Sequence, residues 1–341
     1  MPTAVITDKD NEAARASIYS DSPRPLKRAR LDDTQTDALS ATTTTTVTTT
    51  IATTTATASS HIANSPVQPV LAHPQLHLGQ FEIAKSLGKG SFGRVYLAKH
   101  KESGRICALK ILNKESITRA GNERHVRREI EVHSQLRHPG ILNFYGWFHD
   151  SSRIVMILEY AIGGELFGVL QREGEFSEQC AAKYVAQVAI SLSYLHRKHI
   201  MHRDIKPENI LLGLHGELKL ADFGYSVYAP DDRRETRCGT LDYLPPEMLT
   251  SSHLSYTNAV DLWALGVLTY EFLTGGAPFT DTAAATRRRI RELDMEPLPD
   301  SLSSEAKDFV HSLLVLDPSS RLSLKGVLDH PWITKNCNSP G

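Results

Sequence analysis

The sequence predicts an α+β architecture of two lobes, a small β-rich one with a single charged helix and a larger, mainly helical one, behind a tail that builds no core. Three observations carry this. Of 24 aromatic residues only Tyr19 precedes Phe81, so the first 80 positions lack the anchors a core needs. From Phe81 to about Tyr160 a β-rich texture with turn residues is interrupted by a charged helical segment near Glu123 to Gln135. Beyond it, Ala182, Val185, Ala186, Val188, Ala189, Leu192 and Leu195 recur at three- and four-residue spacing, while Val260 to Thr274 is almost wholly apolar. The first pattern is an amphipathic helix and the second a buried one.

The expected tail comes first. Asp37 and Glu82 enclose a stretch without any charged residue, and residues 42 to 57 hold twelve Thr broken by Ala, Val and Ile. Such Thr runs have strand propensity, but nothing nearby alternates with them or covers them. Residues 1–76 are therefore expected to be a disordered, Thr-rich regulatory tail, followed by a folded domain over 81–333 and a short C-terminal tail at 334–341. In the first of these, Lys27-Arg28-Ala29-Arg30 is a candidate import signal, Arg28-Ala29-Arg30-Leu31 a candidate degradation signal, and Ser22-Pro23 and Ser65-Pro66 are candidate proline-directed phosphorylation sites.

The 341 residues carry 38 Lys and Arg against 39 Asp and Glu, a formal charge of -1. No long-range field draws such a chain to nucleic acid or to an anionic membrane, so neither is expected as a direct partner. Cys107, Cys180, Cys238 and Cys337 are widely spaced and form no CxxC pair, which argues against a zinc site or a disulfide framework and for a reducing compartment. Neither a signal peptide nor a transmembrane helix is expected, because apolar runs are broken by charges such as Asp261 and Glu271.

Within the domain, Gly88, Gly90 and Gly93 form G-x-G-x-x-G on a strand, turn, strand segment. The alternation of Arg94-Val95-Tyr96-Leu97-Ala98 denies the third glycine the helix that a dinucleotide fold requires. The motif is then either a glycine-rich flap over nucleotide phosphates or a plain Gly-rich hairpin. Lys110 ends an apolar run that contains Ala108, and Glu129 follows nineteen residues later in the charged helix. A carboxylate on a movable helix suits a strand lysine that aligns phosphates. Next, His202-Arg203-Asp204-Ile205-Lys206-Pro207-Glu208-Asn209 precedes Asp222-Phe223-Gly224 by thirteen positions, counted from Asn209 to Asp222. Phosphoryl transfer needs a carboxylate beside the attacking hydroxyl, which Asp204 fits, and oxygen ligands for Mg²⁺, which Asn209 and Asp222 fit.

In these motifs the chain resembles a eukaryotic protein kinase over residues 81–333, and the resemblance implies the bilobal protein kinase fold with small lobe and hinge at 81–160 and large lobe at 161–333. It implies ATP and Mg²⁺ as cofactors. Leu158-Glu159-Tyr160-Ala161 looks like the hinge that pairs with adenine through Glu159 and Ala161, with Leu87, Val95, Ala108 and Leu211 around the ring. Pro245-Pro246-Glu247 would pair with Arg321, and Asp261 would support the catalytic loop. Lys206 and Gly239-Thr240 resemble the serine/threonine class. Asp222-Phe223-Gly224-Tyr225-Ser226-Val227, Arg233-Arg234-Glu235-Thr236-Arg237-Cys238-Gly239-Thr240-Leu241-Asp242-Tyr243-Leu244-Pro245-Pro246-Glu247 and Leu136-Arg137-His138-Pro139 look like an Aurora mitotic kinase, which usually has Trp at the place of Tyr225. A different residue also usually stands where Glu165 does.

The same resemblance implies further roles. Glu165, Glu208 and Glu271 would pair with arginines ahead of the target hydroxyl, giving an R-R-x-S/T preference. Thr236 would be the activation phosphosite, with Arg203 as its phosphate-pairing residue. Partners would be basic Ser/Thr protein substrates and an activating protein on the small lobe, at the spindle, centrosome or centromere in nucleus and cytoplasm. His133, one turn after Glu129, stands where most kinases place a Leu or Met that packs against Phe223; a polar side chain there either gives up that apolar packing and leaves the active arrangement needing external support, or simply faces solvent. The alternatives to an Aurora-type enzyme are another basophilic kinase or a scaffold that has lost catalysis, and the presence of Lys110, Asp204 and Asp222 speaks against the scaffold.

Overall fold

The computed structural model describes residues 76–90, 93–229, 239–249 and 255–338. The expected regulatory tail at 1–76, its candidate signals and Thr236 lie essentially or wholly outside the described residues. From His77 onward the chain forms one unit.

The small lobe is a five-stranded antiparallel sheet in the order β1-β2-β3-β5-β4, built from β1 (Phe81–Lys89), β2 (Gly93–His100), β3 (Ile106–Asn113), β4 (Phe144–His149) and β5 (Arg153–Leu158). Two short helices, α1 (Lys114–Arg119) and α2 (Glu123–His133), interrupt it between β3 and β4. Asn113 caps α1 by accepting from the Ser116 amide at 2.9 Å, the usual remedy for a free helical N–H. One sheet face packs Ala108, Leu112, Phe144, Met156 and Leu158 against Val126 and Ile130 of α2. Because strand side chains alternate, Lys110 lies between Ala108 and Leu112 on that same face.

The large lobe is built around α4 (Glu178–Arg197) and α5 (Ala259–Thr274), after the short β6 (Gly164–Glu165) and α3 (Leu166–Glu173). Every residue of α5 from Ala259 to Leu273 is buried, as its mostly apolar sequence predicts, and Asp261 and Glu271 are buried with the rest. Gly275 ends it at φ 78°, and an added Cβ there would meet the Gly174 carbonyl oxygen at 2.4 Å, so only glycine closes this corner. Short strands β7 (Ile200–Met201), β8 (Ile210–Leu212), β9 (Leu218–Leu220) and β10 (Val227–Tyr228) carry the loops of the site. Helices α6 (Ala283–Glu292), α7 (Ser304–Leu313), α8 (Leu324–Asp329) and α9 (Pro331–Asn338) complete the lobe. The expected C-terminal tail at 334–341 begins inside α9: Trp332 and Ile333 are buried in the core, and the helix they anchor runs on to Asn338. Among the described residues no helix is long and apolar enough to cross a membrane.

Candidate active site

The register of β3 sets Lys110 opposite Val95 and Met156. Its Nζ reaches Glu129 Oε1 on α2 at 2.5 Å and lies 3.9 Å from Asp222 Oδ1. The Lys110 ammonium holds the Asp222 carboxyl below the usual carboxylate range, with the Gly224 amide helping, while burial pushes Glu129 the other way. An anionic Asp222 facing a lysine is the charge distribution a phosphate-bound cation and its phosphates would meet.

In the large lobe Asp204 is held on both oxygens. Lys206 Nζ lies 2.8 Å and Asn209 Nδ2 2.7 Å from Oδ2, and the Thr240 hydroxyl donates to Oδ1 at 3.1 Å. Lys206 also donates to Thr240 Oγ1 at 2.6 Å, and Asn209 Nδ2 to the Asp204 carbonyl at 2.8 Å. The loop owes its shape to Asp261 on the buried α5, whose carboxylate accepts from the His202 amide at 3.0 Å, the Arg203 amide at 2.8 Å and His196 Nε2 at 2.8 Å. Arg203 stands at φ 66° and Asp222 at φ 60°, both in the left-handed region, so the backbone is strained at the residues beside and within the motifs. Arg203 is tied down by donating from Nε to the Tyr225 carbonyl at 2.7 Å and from Nη1 to the Tyr256 hydroxyl.

A column of rings joins the lobes. Phe144 meets His133 at 5.3 Å between centroids, His133 meets Phe223 at 4.6 Å, and Phe223 meets His202 at 5.0 Å. His133 is 1% exposed, which excludes the solvent-facing alternative. Its Nε2 donates to the Leu142 carbonyl at 2.6 Å, fixing the neutral tautomer, and burial with the nearby Lys110 charge lowers its pKa to about 4.

The other expected residues gather unequally. Val95, Ala108, Ala161 and Leu211 share one apolar cluster, whereas Leu87 is exposed. Gly93 is irreplaceable on steric grounds, since a Cβ there would fall 1.9 Å from the Ile111 carbonyl oxygen; Gly90 donates its amide to the Gly93 carbonyl at 2.9 Å, and Gly88 pairs with Val95. Glu165 is exposed at the head of α3, where local desolvation and the neighbouring Glu208 charge raise its pKa. Glu271 is 1% exposed and accepts a hydrogen bond from the Tyr243 hydroxyl, so it stands beneath Tyr243 rather than open beside Glu165. Arg321 forks onto Glu247 with two contacts of 2.7 Å, as the resemblance implies. Thr240, Asn143 and Lys219 also hold the site together, yet no motif marks their contacts; Gly239-Thr240 signals only the hydroxyl class.

These features, a strand lysine paired to a helix carboxylate across from a held catalytic loop, define the core of a protein kinase, and the protein kinase domain family matches residues 81–333. Over 272 residues the chain is 55% identical to an Aurora kinase of Schizosaccharomyces pombe, covering 78% of this chain and 76% of that one. It is 55% identical to Aurora kinase A-B of Xenopus laevis over 77% of this chain and 64% of that relative, and 50% identical to Aurora kinase B of Danio rerio over 76% and 81%. The chain thus spans less than two thirds of the Xenopus relative. It belongs to the Aurora family of serine/threonine protein kinases.

Proposed function

We propose that this enzyme transfers the γ-phosphoryl group of Mg-ATP to Ser or Thr in R-R-x-S/T contexts, and that it serves mitosis and chromosome segregation at the spindle, centrosome or centromere. The contacts that support the reading link the four groups: Lys110 lies 3.9 Å from Asp222, Asn209 Nδ2 reaches Asp204 at 2.7 Å, and the amide of Ala221, next to Asp222, donates to the Asn209 main-chain carbonyl at 2.9 Å. Asn209 spends its amide N–H groups on Asp204, which leaves its carbonyl oxygen as the donor atom for a cation. One amide oxygen and one carboxylate suit Mg²⁺, which takes its other ligands from phosphates and water. Bound there, the metal would neutralise charge on the phosphates. Lys110, fixed by Glu129, aligns the α and β phosphates. Asp204 orients the substrate hydroxyl and takes its proton as the oxygen bonds the γ-phosphorus, the bond to the β-bridging oxygen breaks and ADP leaves.

Glu165 and Glu208 supply the carboxylates for substrate arginines, to which Glu271 adds its charge from below. Arg233 and Arg234 precede Thr236 in the preferred pattern. Thr236 is therefore phosphorylated by a second copy of the enzyme, its phosphate pairs with Arg203, and an activating protein on the small lobe supports that state. The test is transfer of labelled γ-phosphate from ATP to an R-R-x-S/T peptide by purified chain, with and without Mg²⁺. Asp222→Asn and Lys110→Met should each lose orders of magnitude of activity. Near wild-type rates in either, or equal rates on a peptide without arginines, refute the respective part.

A further inference from the structure

Lys219 sits on β9, three residues before Asp222, with a side chain 8% exposed. Its Nζ lies 3.0 Å from Glu159 Oε1, donates to the Pro139 carbonyl at 3.2 Å and stands 3.8 Å from Glu217 Oε1. The second Glu159 oxygen accepts from Asn143 twice, from the amide at 3.0 Å and from Nδ2 at 2.8 Å, and the Glu159 amide donates back to the Asn143 carbonyl at 2.9 Å. The segment that carries Pro139 and Asn143 is itself stitched to β9, since Leu142 N donates to Leu220 O at 3.0 Å and Leu220 N to Gly140 O at 2.9 Å. One carboxylate on the hinge is thus gripped from the large lobe on one oxygen and from the approach to β4 on the other.

Such a pair needs an account other than stability. Lysine is rarely buried, and a buried ion pair often adds little over apolar side chains of the same volume, so its contacts point to a positional role. We propose that Lys219 and Asn143 are positioning residues for the nucleotide, acting through the Glu159 carboxylate to hold the hinge backbone from Glu159 to Ala161 in the orientation that receives the adenine ring. The inference rests on the ATP reading above. Neither residue touches the nucleotide. A hinge released on one side receives the ring only part of the time, and apparent affinity falls by that fraction.

Steady-state kinetics of the full chain, with ATP and peptide varied separately, decide the matter. Lys219→Met keeps the stem and removes the charge; it should raise the KM for ATP about tenfold, equivalent to about 1.4 kcal/mol, with kcat and the peptide KM within about twofold. Lys219→Arg, which restores a cation within reach of Glu159, should recover most of the loss. Asn143→Ala should raise the same KM by a smaller factor and carries the test if Lys219→Met does not fold. An unchanged KM for ATP, or a fall in kcat alone with a lowered melting temperature, overturns the proposal. A wild-type chain without saturable ATP dependence would take down the ATP reading and this one together, which no variant result does.

Discussion

Truncating Arg321 to alanine should destabilise the large lobe by about 3 to 5 kcal/mol, the usual cost of stripping one member from a buried ion pair. The Arg321 side chain is 0% exposed and that of Glu247 12%, so water replaces little of what is lost. Besides the fork onto Glu247, the guanidinium donates to the carbonyls of Val315 at 3.0 Å and Ala259 at 2.9 Å, and its carbon lies 5.1 Å from the centre of the Trp263 ring. The two abandoned carbonyls place the loss toward the upper end of that range. Against a total stability of about 5 to 15 kcal/mol this is a large share. Urea unfolding followed by tryptophan fluorescence reads it, because Trp263 and Trp332 both lie in the core. Arg321→Lys should recover little, since an ammonium cannot reproduce the fork. Arg321→Met combined with Glu247→Leu should recover much of the stability by leaving neither charge buried alone. Loss of less than about 1 kcal/mol in Arg321→Ala, or a double variant as damaged as the single, would refute the reasoning.

His133 should make stability pH-dependent: its folded pKa of about 4 lies below the ordinary 6.5, so the unfolded chain binds the proton first and stability falls as pH drops from about 7 toward 4. The share is about 2 kcal/mol by pH 5, and His133→Leu should flatten it while His202, shifted the same way by burial, keeps its own; identical pH profiles for the two proteins would contradict this. Gly93→Ala should abolish activity and lower the melting temperature by several degrees, because its Cβ must displace the β3 backbone next to Lys110; a fully active variant refutes the steric argument. Thr236→Val should lower phosphotransfer strongly, and phosphatase treatment should reproduce the loss in the wild type only. Full activity of dephosphorylated wild type without a partner overturns the switch.

The grouping of polar residues within one short segment was legible in the sequence, because such a grouping needs given residue types at given spacing. Asp204 and Asn209 share one loop and meet there at 2.7 Å, whereas the left-handed φ of Asp222 is a feature that the motif alone did not announce. Contacts made across the fold were legible where the family resemblance named both partners, as Arg321 and Glu247 show. Asn143 and Lys219 converge on Glu159 from two other segments, and neither alternation nor periodicity announces that meeting. The direction of His133 was undecidable for a similar reason: helical spacing puts it one turn beyond Glu129, but burial depends on Phe144 and Phe223 arriving from elsewhere. Glu271 is a further case: that its carboxylate is buried and receives the Tyr243 hydroxyl is not announced by its place in the sequence.

The suspension of the catalytic loop from Asp261 gives the two halves of the cleft unequal foundations. The loop of Asp204 and Asn209 is tied through the His202 and Arg203 amides to a helix buried along almost its whole length, whereas Lys110 and Glu129 belong to a sheet and one short helix with a much smaller core. Warming should therefore misalign the halves before it melts the larger one. Phosphotransfer then acts as a gauge of lobe registration, fading several degrees below the loss of helical circular dichroism, and a ligand that bridges both halves should draw the two temperatures together.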